Sequence, residues 1–309
     1  MKIQLIVNAS ASSVTARTRV VIQKALSADH DVSLSETSRR GHATRLAQGA
    51  AADGLDAVVV LGGDGTLNEA ANGLAGSSTA LGVLPGGSTN VFARTIGMTN
   101  DPVEATGELL HAMAHGHRRR IGLGSVNGRY FLFHVGLGFD AAVVEQVERR
   151  GALKRYAGHP LFIYAGFDTW FRHYDRSRPR FAVRLPDGTV IDDGYFAIVF
   201  NSTPYTYLGN IALDIVPEAT LDRGLASVTF RTLAFTTVMG TILTALRKGK
   251  VVRTSRRLDV HTDLAELTVT GHGPFPYQVD GDFLGSVEHV MLRHEPDALD
   301  LFLPEPPLP

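Results

Sequence analysis

The run Ala57-Val58-Val59-Val60-Leu61 leads into Gly62-Gly63-Asp64-Gly65, and Thr66-Leu67-Asn68-Glu69 then opens a helical pattern. A short apolar run closed by glycines reads as a buried strand. A helix that opens directly after such a turn leaves free N–H groups and the positive end of its dipole at the strand's carboxyl end, where open parallel α/β sheets bind phosphate. Glycine backbone can approach a phosphate closely. Asp64 is the odd member, because a carboxylate among phosphate-facing amides repels a polyphosphate unless a cation lies between them, and Mg²⁺ is the obvious cation. Thr66 and Glu69 also have the spacing of a capping box, the bland reading of those two residues. The loop is neither a Walker A sequence nor a Gly-x-Gly-x-x-Gly fingerprint.

The flanking sequence extends the same pattern. Strands are expected at Ile3 to Val7, Val32 to Glu36, Ala57 to Leu61 and Leu81 to Leu84, with helices near Thr15 to Ser27, His42 to Ala52, Thr66 to Leu74 and Pro102 to His115. After about Arg120 the texture turns β-rich, with runs at Tyr130 to Val135, Phe181 to Leu185, Tyr195 to Phe200, Ala226 to Arg231, Arg257 to His261, Leu267 to Thr270 and His289 to Arg293. Two helical segments interrupt them, Ala141 to Trp170, which Pro160 should break, and Thr236 to Lys248. The expected fold is an α/β nucleotide-binding domain with a Rossmann-like parallel sheet over residues 1–122, followed by a β-rich antiparallel sandwich domain over 123–296. The tail 297–309 is read as returning to the first domain.

Composition narrows the class. With 309 residues, 44% of them hydrophobic and 20% charged, the chain can build two cores. Thirty Lys and Arg against 31 Asp and Glu argue against a dedicated nucleic-acid binder. Cysteine is absent, which removes disulfides and thiolate metal sites and suits a cytoplasmic location. No run approaches the ~20 apolar residues of a membrane span.

A second glycine turn, Leu84-Pro85-Gly86-Gly87-Ser88-Thr89-Asn90, follows the next strand and would lie beside the first. Ser88 and Asn90 could bond phosphate or ribose there, or Ser88 could simply cap a helix, its commoner use.

Gly62 to Glu69 together with Pro85 to Asn90 resemble the soluble diacylglycerol kinase family, which includes bacterial diacylglycerol kinases and the sphingosine and ceramide kinases. Supporting matches are the nucleotide-loop positions Asn8, Ala9, Ser10, Ala11 and Ser12, the stretch Thr37 to Ala43, Gly138 to Ala141, Pro217 to Leu225 and Asp280-Gly281-Asp282. The resemblance implies ATP and Mg²⁺ as cofactors, with the metal at Asp64. It implies transfer of the γ-phosphoryl group to a lipid primary hydroxyl, diacylglycerol to phosphatidic acid for a bacterial-type member. ATP and a lipid at the membrane surface are then the partners, with room for a homodimer and no nucleic acid. Residues carried over as nucleotide-binding are Asn8 to Ser12, Thr37, Gly62, Gly63, Asp64, Gly65, Thr66, Asn68, Glu69, Gly87, Ser88 and Asn90. The chain departs from the family at Asp282, where Glu is usual, at Val91 and Arg223, where many bacterial members have Asp, and in the first loop, which lacks Pro and has Ser12 for Gly. An NAD kinase-like enzyme and a catalytically weak nucleotide or lipid sensor are the rival readings.

Asp282 and Asp64 are both candidates for the base that accepts the hydroxyl proton. Asp282 comes first, since a carboxylate holding Mg²⁺ has its proton affinity depressed. Asp280 would orient Asp282 or the acceptor. Without the resemblance, Asp280-Gly281-Asp282 reads as a hairpin turn. His111, His115 and His117 invite a metal, but with Arg118, Arg119 and Arg120 they read better as a basic helix end. The cluster Arg247, Lys248, Lys250, Arg253, Arg256 and Arg257 could meet anionic headgroups or lie in a solvated loop. Phe162, Tyr164, Phe167, Trp170 and Phe171, trailed by Arg172, Arg176 and Arg178, are expected to pack the core rather than face lipid.

Overall fold

A computed structural model describes residues 1–150, 164–246 and 256–305. Pro160, Phe162, Arg247, Lys248, Lys250, Arg253 and the prolines at 306, 307 and 309 lie outside the described residues. The chain divides into two compact units, Met1–Leu123 with Glu295–Pro309, and Gly124–His294.

The first unit is an α/β layer structure. β1 (Lys2–Val7), β2 (Asp31–Glu36), β3 (Ala57–Gly62) and β4 (Ala80–Pro85) form a parallel sheet in the order β4-β3-β1-β2, and Leu301 pairs in parallel with Leu81 on the far side of β4. Every residue of β3 is buried, as a strand covered on both faces requires. Each valine so withdrawn from water contributes about 1.5–3 kcal/mol. α1 (Ala16–Leu26), capped by the Thr15 hydroxyl, and α2 (His42–Ala52) follow β1 and β2. α3 (Asp64–Leu74) buries Leu67, Ala70, Ala71 and Leu74, spaced for one helical face. Gly73 lets α2 press against it, since a Cβ there would come within 2.5 Å of the Thr44 carbonyl oxygen. α4 (Val91–Thr95) and α5 (Pro102–His115) complete the unit.

Arg118 and Arg120 are not the basic end of α5. That helix closes on Gly116 in the left-handed conformation, and the arginines begin β5 (Arg118–Val126). Both donate to Asp300 Oδ2, at 2.8 and 2.9 Å, and to the carbonyls of Ser78 and Ser77. With the Gly76 amide donating to the Ala298 carbonyl, these bonds hold residues 298–301 to the first unit.

The second unit is antiparallel and β-rich. β6 (Arg129–Phe131) pairs with β5, and β7 (His134–Gly138) leads into α6 (Phe139–Arg149). β8 (Phe181–Arg184), β9 (Val190–Gly194), β10 (Phe196–Phe200) and β13 (Leu225–Phe230) follow, with the small β11 (Thr206–Leu208) and β12 (Ile211–Leu213) hairpin between the last two. β14 (Leu258–Leu264), β15 (Glu266–Val279) and β16 (Asp282–Phe302) end the described chain. β15 pairs with β8 through Thr268 to Gly271 and with β7 through Tyr277 to Val279, and its register against β16 slips between Thr270 and Phe275. Such a bulge bends a strand, and here it carries β15 from one set of neighbours to another. β10 is buried throughout. Ala197 and Val199 join a core with Phe181, Val183, Val269 and Val290, whereas Phe196, Ile198 and Phe200 join Phe139, Trp170 and Phe230 on the opposite face.

His134 begins β7 with its ring against Phe133, Phe200 and Tyr205, and its Nδ1 has no partner among the described residues. Burial pushes its pKa down to about 3. A histidine with a folded pKa below its unfolded value binds fewer protons folded than unfolded between the two values. Stability therefore falls as pH drops through 6.5, at roughly 1.4 kcal/mol per pH unit, until about pH 3. In urea denaturation between pH 7 and pH 4, His134→Phe should flatten the acid loss by about one proton relative to the parent.

Candidate functional site

β3 and β4 are parallel neighbours, with Gly62 opposite Pro85, so the two glycine turns emerge side by side. The Gly86 amide donates to the Gly62 carbonyl at 2.8 Å. A Cβ on Gly86 would sit 2.9 Å from Gly62 Cα, and one on Gly87 2.9 Å from Gly63 Cα. These glycines are therefore required for loop-against-loop contact, whatever they do for a ligand. Gly65, in the first turn of α3, is different: nothing lies within 4 Å of its missing Cβ. Open space at a helix N-terminus is where a phosphate finds unpaired amides.

Asp64 is the first residue of α3, whose N-cap is Gly63. Its carboxylate accepts the amides of Val91 and Phe92, one on each oxygen, at 3.0 Å. Those are the opening amides of α4, and the α4 N-cap, Asn90, makes no capping bond of its own. Asp64 thus caps a second helix from outside it, the duty expected of Ser88, which is exposed on the turn. Burial pushes the Asp64 carboxyl above its ordinary value, and the bonds from Phe92 and Val91 oppose this.

The capping box is not formed. Thr66 accepts from Asn8 Nδ2 at 3.0 Å, and Glu69 accepts the Gly41 and Ala43 amides at 2.7 and 3.1 Å, holding the start of α2. Asn8, whose Oδ1 receives the Ser10 amide, joins β1 to α3, and the Thr37 amide bonds the carbonyl of Val7 next door. Ala9, Ser10 and Ser12 are exposed and Ala11 is half-buried. Asn68 is buried and receives the Asn72 amide group. Asn90, at φ 50°, bonds both polar groups of Gly87 and reaches Asn100. Of the predicted residues, Ala9 and serines 10, 12 and 88 are exposed, and Gly65 is half-buried with open space beside it. Ser13 was missed: its amide donates to Gly86 and its hydroxyl to the Gly87 carbonyl. Its place in a loop of small polar residues gave no distinguishing signal.

In the second unit Asp280 and Gly281, at φ 47° and 82°, make the two-residue turn between Val279 and Asp282. The Asp280 carboxylate accepts three amides, from Leu132 at 2.7 Å and from Phe133 and His134 at 3.0 Å, so it clamps backbone. Asp282 lies 3.6 Å from Arg129, and the next amide, Phe283, donates to Glu148. Neither Arg129 nor Glu148 carried a signal in the sequence. Val91 is buried, and at the Arg223-Gly224-Leu225 step the Gly224 amide bonds Asp263.

The aromatic segment departs from expectation. Trp170 is 6% exposed and packs on Phe139 and Phe235, but Tyr164, Phe167 and Phe171 are 55%, 45% and 67% exposed. Their spacing places them on one outward face. Arg176 lies over the Trp170 and Phe171 rings at 5.1 and 5.9 Å. His111, His115 and His117 cluster, but His115 bonds the His111 carbonyl and His111 bonds Glu305. Among the described residues no group of three or more His, Cys, Asp or Glu could hold a metal ion, and no helix is long and apolar enough to cross a membrane.

Residues 2–126 match the family model of the diacylglycerol kinase catalytic domain. The chain is 39% identical over 114 residues to the diacylglycerol kinase of Bacillus subtilis (strain 168), covering 36% of this chain and 37% of that protein. It is 27% identical over 280 residues to the diacylglycerol kinase of Staphylococcus aureus (strain NCTC 8325 / PS 47), covering 90% and 84%. The crystal structure of a diacylglycerol kinase from Bacillus anthracis str. Sterne superposes with a TM-score of 0.71 over 98% of this chain and 96% of that one. At 20% identity that likeness is one of fold.

Asp64→Asn should lower the stability of the protein by roughly 1–3 kcal/mol in urea denaturation. Asparagine offers one carbonyl oxygen to two amides and turns its own NH₂ on the other. Unchanged stability would remove Asp64 as the cap of α4.

Proposed function

We propose that this chain, whose residues 2–126 match the diacylglycerol kinase catalytic-domain model, is a diacylglycerol kinase-like enzyme that transfers the γ-phosphoryl group of ATP to a lipid primary hydroxyl, diacylglycerol first. The product is phosphatidic acid. The observation that carries the reading is the pairing of two glycine turns at the ends of neighbouring parallel strands, with Gly65 and the start of α3 open beside them.

The triphosphate is held by the α3 amides and by serines of the loops after β1 and β4, Ser10, Ser12 and Ser88. The donor set fits an ion that arrives with the nucleotide: of the acids near these turns, Asp64 has lone pairs remaining after its two amide bonds, and Mg²⁺ usually keeps water and phosphate oxygens as its other ligands. When bound, that ion would neutralise charge on the β- and γ-phosphates. Asp282 takes the hydroxyl proton of the acceptor. Asp64 suits this less, because taking up a proton would weaken the two amide bonds with which it holds α4. Asp280 fixes the turn before Asp282 and has no oxygen without a backbone partner. Phosphoryl transfer through a loose transition state asks little of a base, so Asp282 assists the step without dominating it. The outward face of Tyr164, Phe167 and Phe171 beside Arg172 and Arg176 favours work at a lipid surface, where aromatic rings and cations are both accommodated.

The test is phosphate transfer from Mg-ATP to diacylglycerol vesicles, with sphingosine and NAD as competing acceptors. Diacylglycerol should be phosphorylated, and Asp282→Asn should reduce kcat by about 10²-fold, the lower end for general base catalysis, with KM for ATP unchanged. Transfer to NAD alone would make the protein an NAD kinase. Binding of ATP with transfer to no acceptor would leave a sensor, and either result sinks the lipid kinase reading.

A further inference from the structure

Behind the Asp280-Gly281 turn lies a chain of polar groups that the reaction as described does not use. Asp140, in the first turn of α6, is 7% exposed, yet its carboxylate has no cation bonded to it among the hydrogen bonds and ion pairs of the described residues. Its Oδ1 accepts the Tyr205 hydroxyl at 2.6 Å and its Oδ2 accepts Gln278 Nε2 at 2.8 Å. Gln278, fully buried in β15, turns its other end to the hairpin: Oε1 accepts the Gly281 amide at 2.8 Å. Room for this is made at Gly136, across the strand pair from Gln278, where a Cβ would fall 1.6 Å from Asp140 Oδ2.

Such an arrangement is costly to keep. Burial pushes the Asp140 carboxyl up, and the bonds from Tyr205 and Gln278 only partly offset it. A buried glutamine could be replaced by an apolar residue without this cost, unless the direction of its amide matters. Here the direction is set: the carboxylate can only accept, so it fixes Gln278 with Nε2 inward and Oε1 toward Gly281. The Asp280 carboxylate grips the same turn through the amides of residues 132–134. Held from both sides, the turn delivers the next residue, Asp282, in one orientation.

We propose that Asp140 and Gln278 are positioning residues, which fix the Asp280-Gly281 turn and thereby the direction in which Asp282 presents its carboxylate. The inference rests on the reading of Asp282 as the base. The bond polarity gives it a sharp test. Asp140→Asn can keep an oxygen on only one of its two neighbours: either its NH₂ meets Gln278, which must flip away from Gly281, or its NH₂ turns to Tyr205, whose hydroxyl then accepts and loses its own acceptor. Gln278→Glu sets two carboxylates together, so that one must hold a proton. The double variant restores every bond and reverses only the one between positions 140 and 278: Tyr205 donates to Asn Oδ1, Asn Nδ2 donates to Glu, and Glu accepts the Gly281 amide.

The experiment measures kcat, KM for ATP and hydrogen exchange of the Gly281 amide in the full-length protein and the three variants. Each single variant should lose about 10-fold or more in kcat at pH 8 with KM for ATP unchanged, and should lose protection at Gly281. The double variant should recover kcat to within about threefold, as coupled sites do in a mutant cycle. Gln278→Glu should also regain activity as pH falls and its carboxylate pair takes up a proton, a response that a loss of packing alone would not give. Single variants with parental kcat, or a double variant no better than Asp140→Asn, would overturn the proposal. So would parental kcat in Asp282→Asn alongside losses in the single variants, because the effect would then not run through Asp282. A parental protein that phosphorylates no lipid defeats the kinase reading instead, and Gly281 exchange still decides the network: protection unchanged across the set overturns it.

Discussion

The contact on which the first unit turns is the close passage of Gly62-Gly63 against Gly86-Gly87. Two backbones meet there without side chains between them, and the Gly86 amide bonds across the gap. Once the turns touch, Asp64 can reach the opening amides of α4, Asn8 can reach Thr66, and Ser13 can bond both glycines of the second turn. Three loops from the ends of three adjacent strands become one surface. The glycine-rich sequence is thus first a packing requirement, and the open helix N-terminus at Gly65 is what that packing leaves exposed.

Acidic side chains in both units are used to hold backbone. Asp64 takes two amides of α4, Glu69 two amides at the start of α2, and Asp280 three amides of residues 132–134. Carboxylates suit this work because they only accept, and hydrogen bonds to an ionised acceptor are stronger than neutral ones. A polar residue among glycine turns therefore need not face a ligand, because holding the neighbouring loops can be its whole duty.

Much of the fold was readable because its periodicities are local. The strand, turn and helix of Ala57 to Leu74 carry their own pattern, and so do the helices that end at Ala52 and His115. The site was legible as a set of loops but not in the duties of its members. Glu69 sits at capping-box spacing from Thr66, and nothing local reveals that its partners lie on α2. Ser88 has the preference of a cap, but Asp64 has the geometry. Tyr164, Phe167 and Phe171 repeat as a helix face should, and that repeat is the same whether the face turns inward or outward. The sequence pattern shows β15 only as Leu267 to Thr270, because Gly271, Gly273, Pro274 and Pro276 resemble breakers, whereas the strand carries them as a bulge. Gln278 had no signal at all, since its importance lies in the orientation of an amide.

β16 begins in the second unit and finishes in the first, where Leu301 lies beside β4 and Asp300 receives two arginines. The first unit therefore draws on segments separated by the whole of the second. During synthesis its parallel sheet would emerge early, but the strand that covers the far side of β4 would emerge only after residue 294. Until then Leu81 has an unoccupied edge, and the pair Arg118 and Arg120 has no Asp300. Unpaired sheet edges invite wrong partners, so the second unit, which is one continuous stretch of chain, is the part able to mature without waiting for a segment that emerges later.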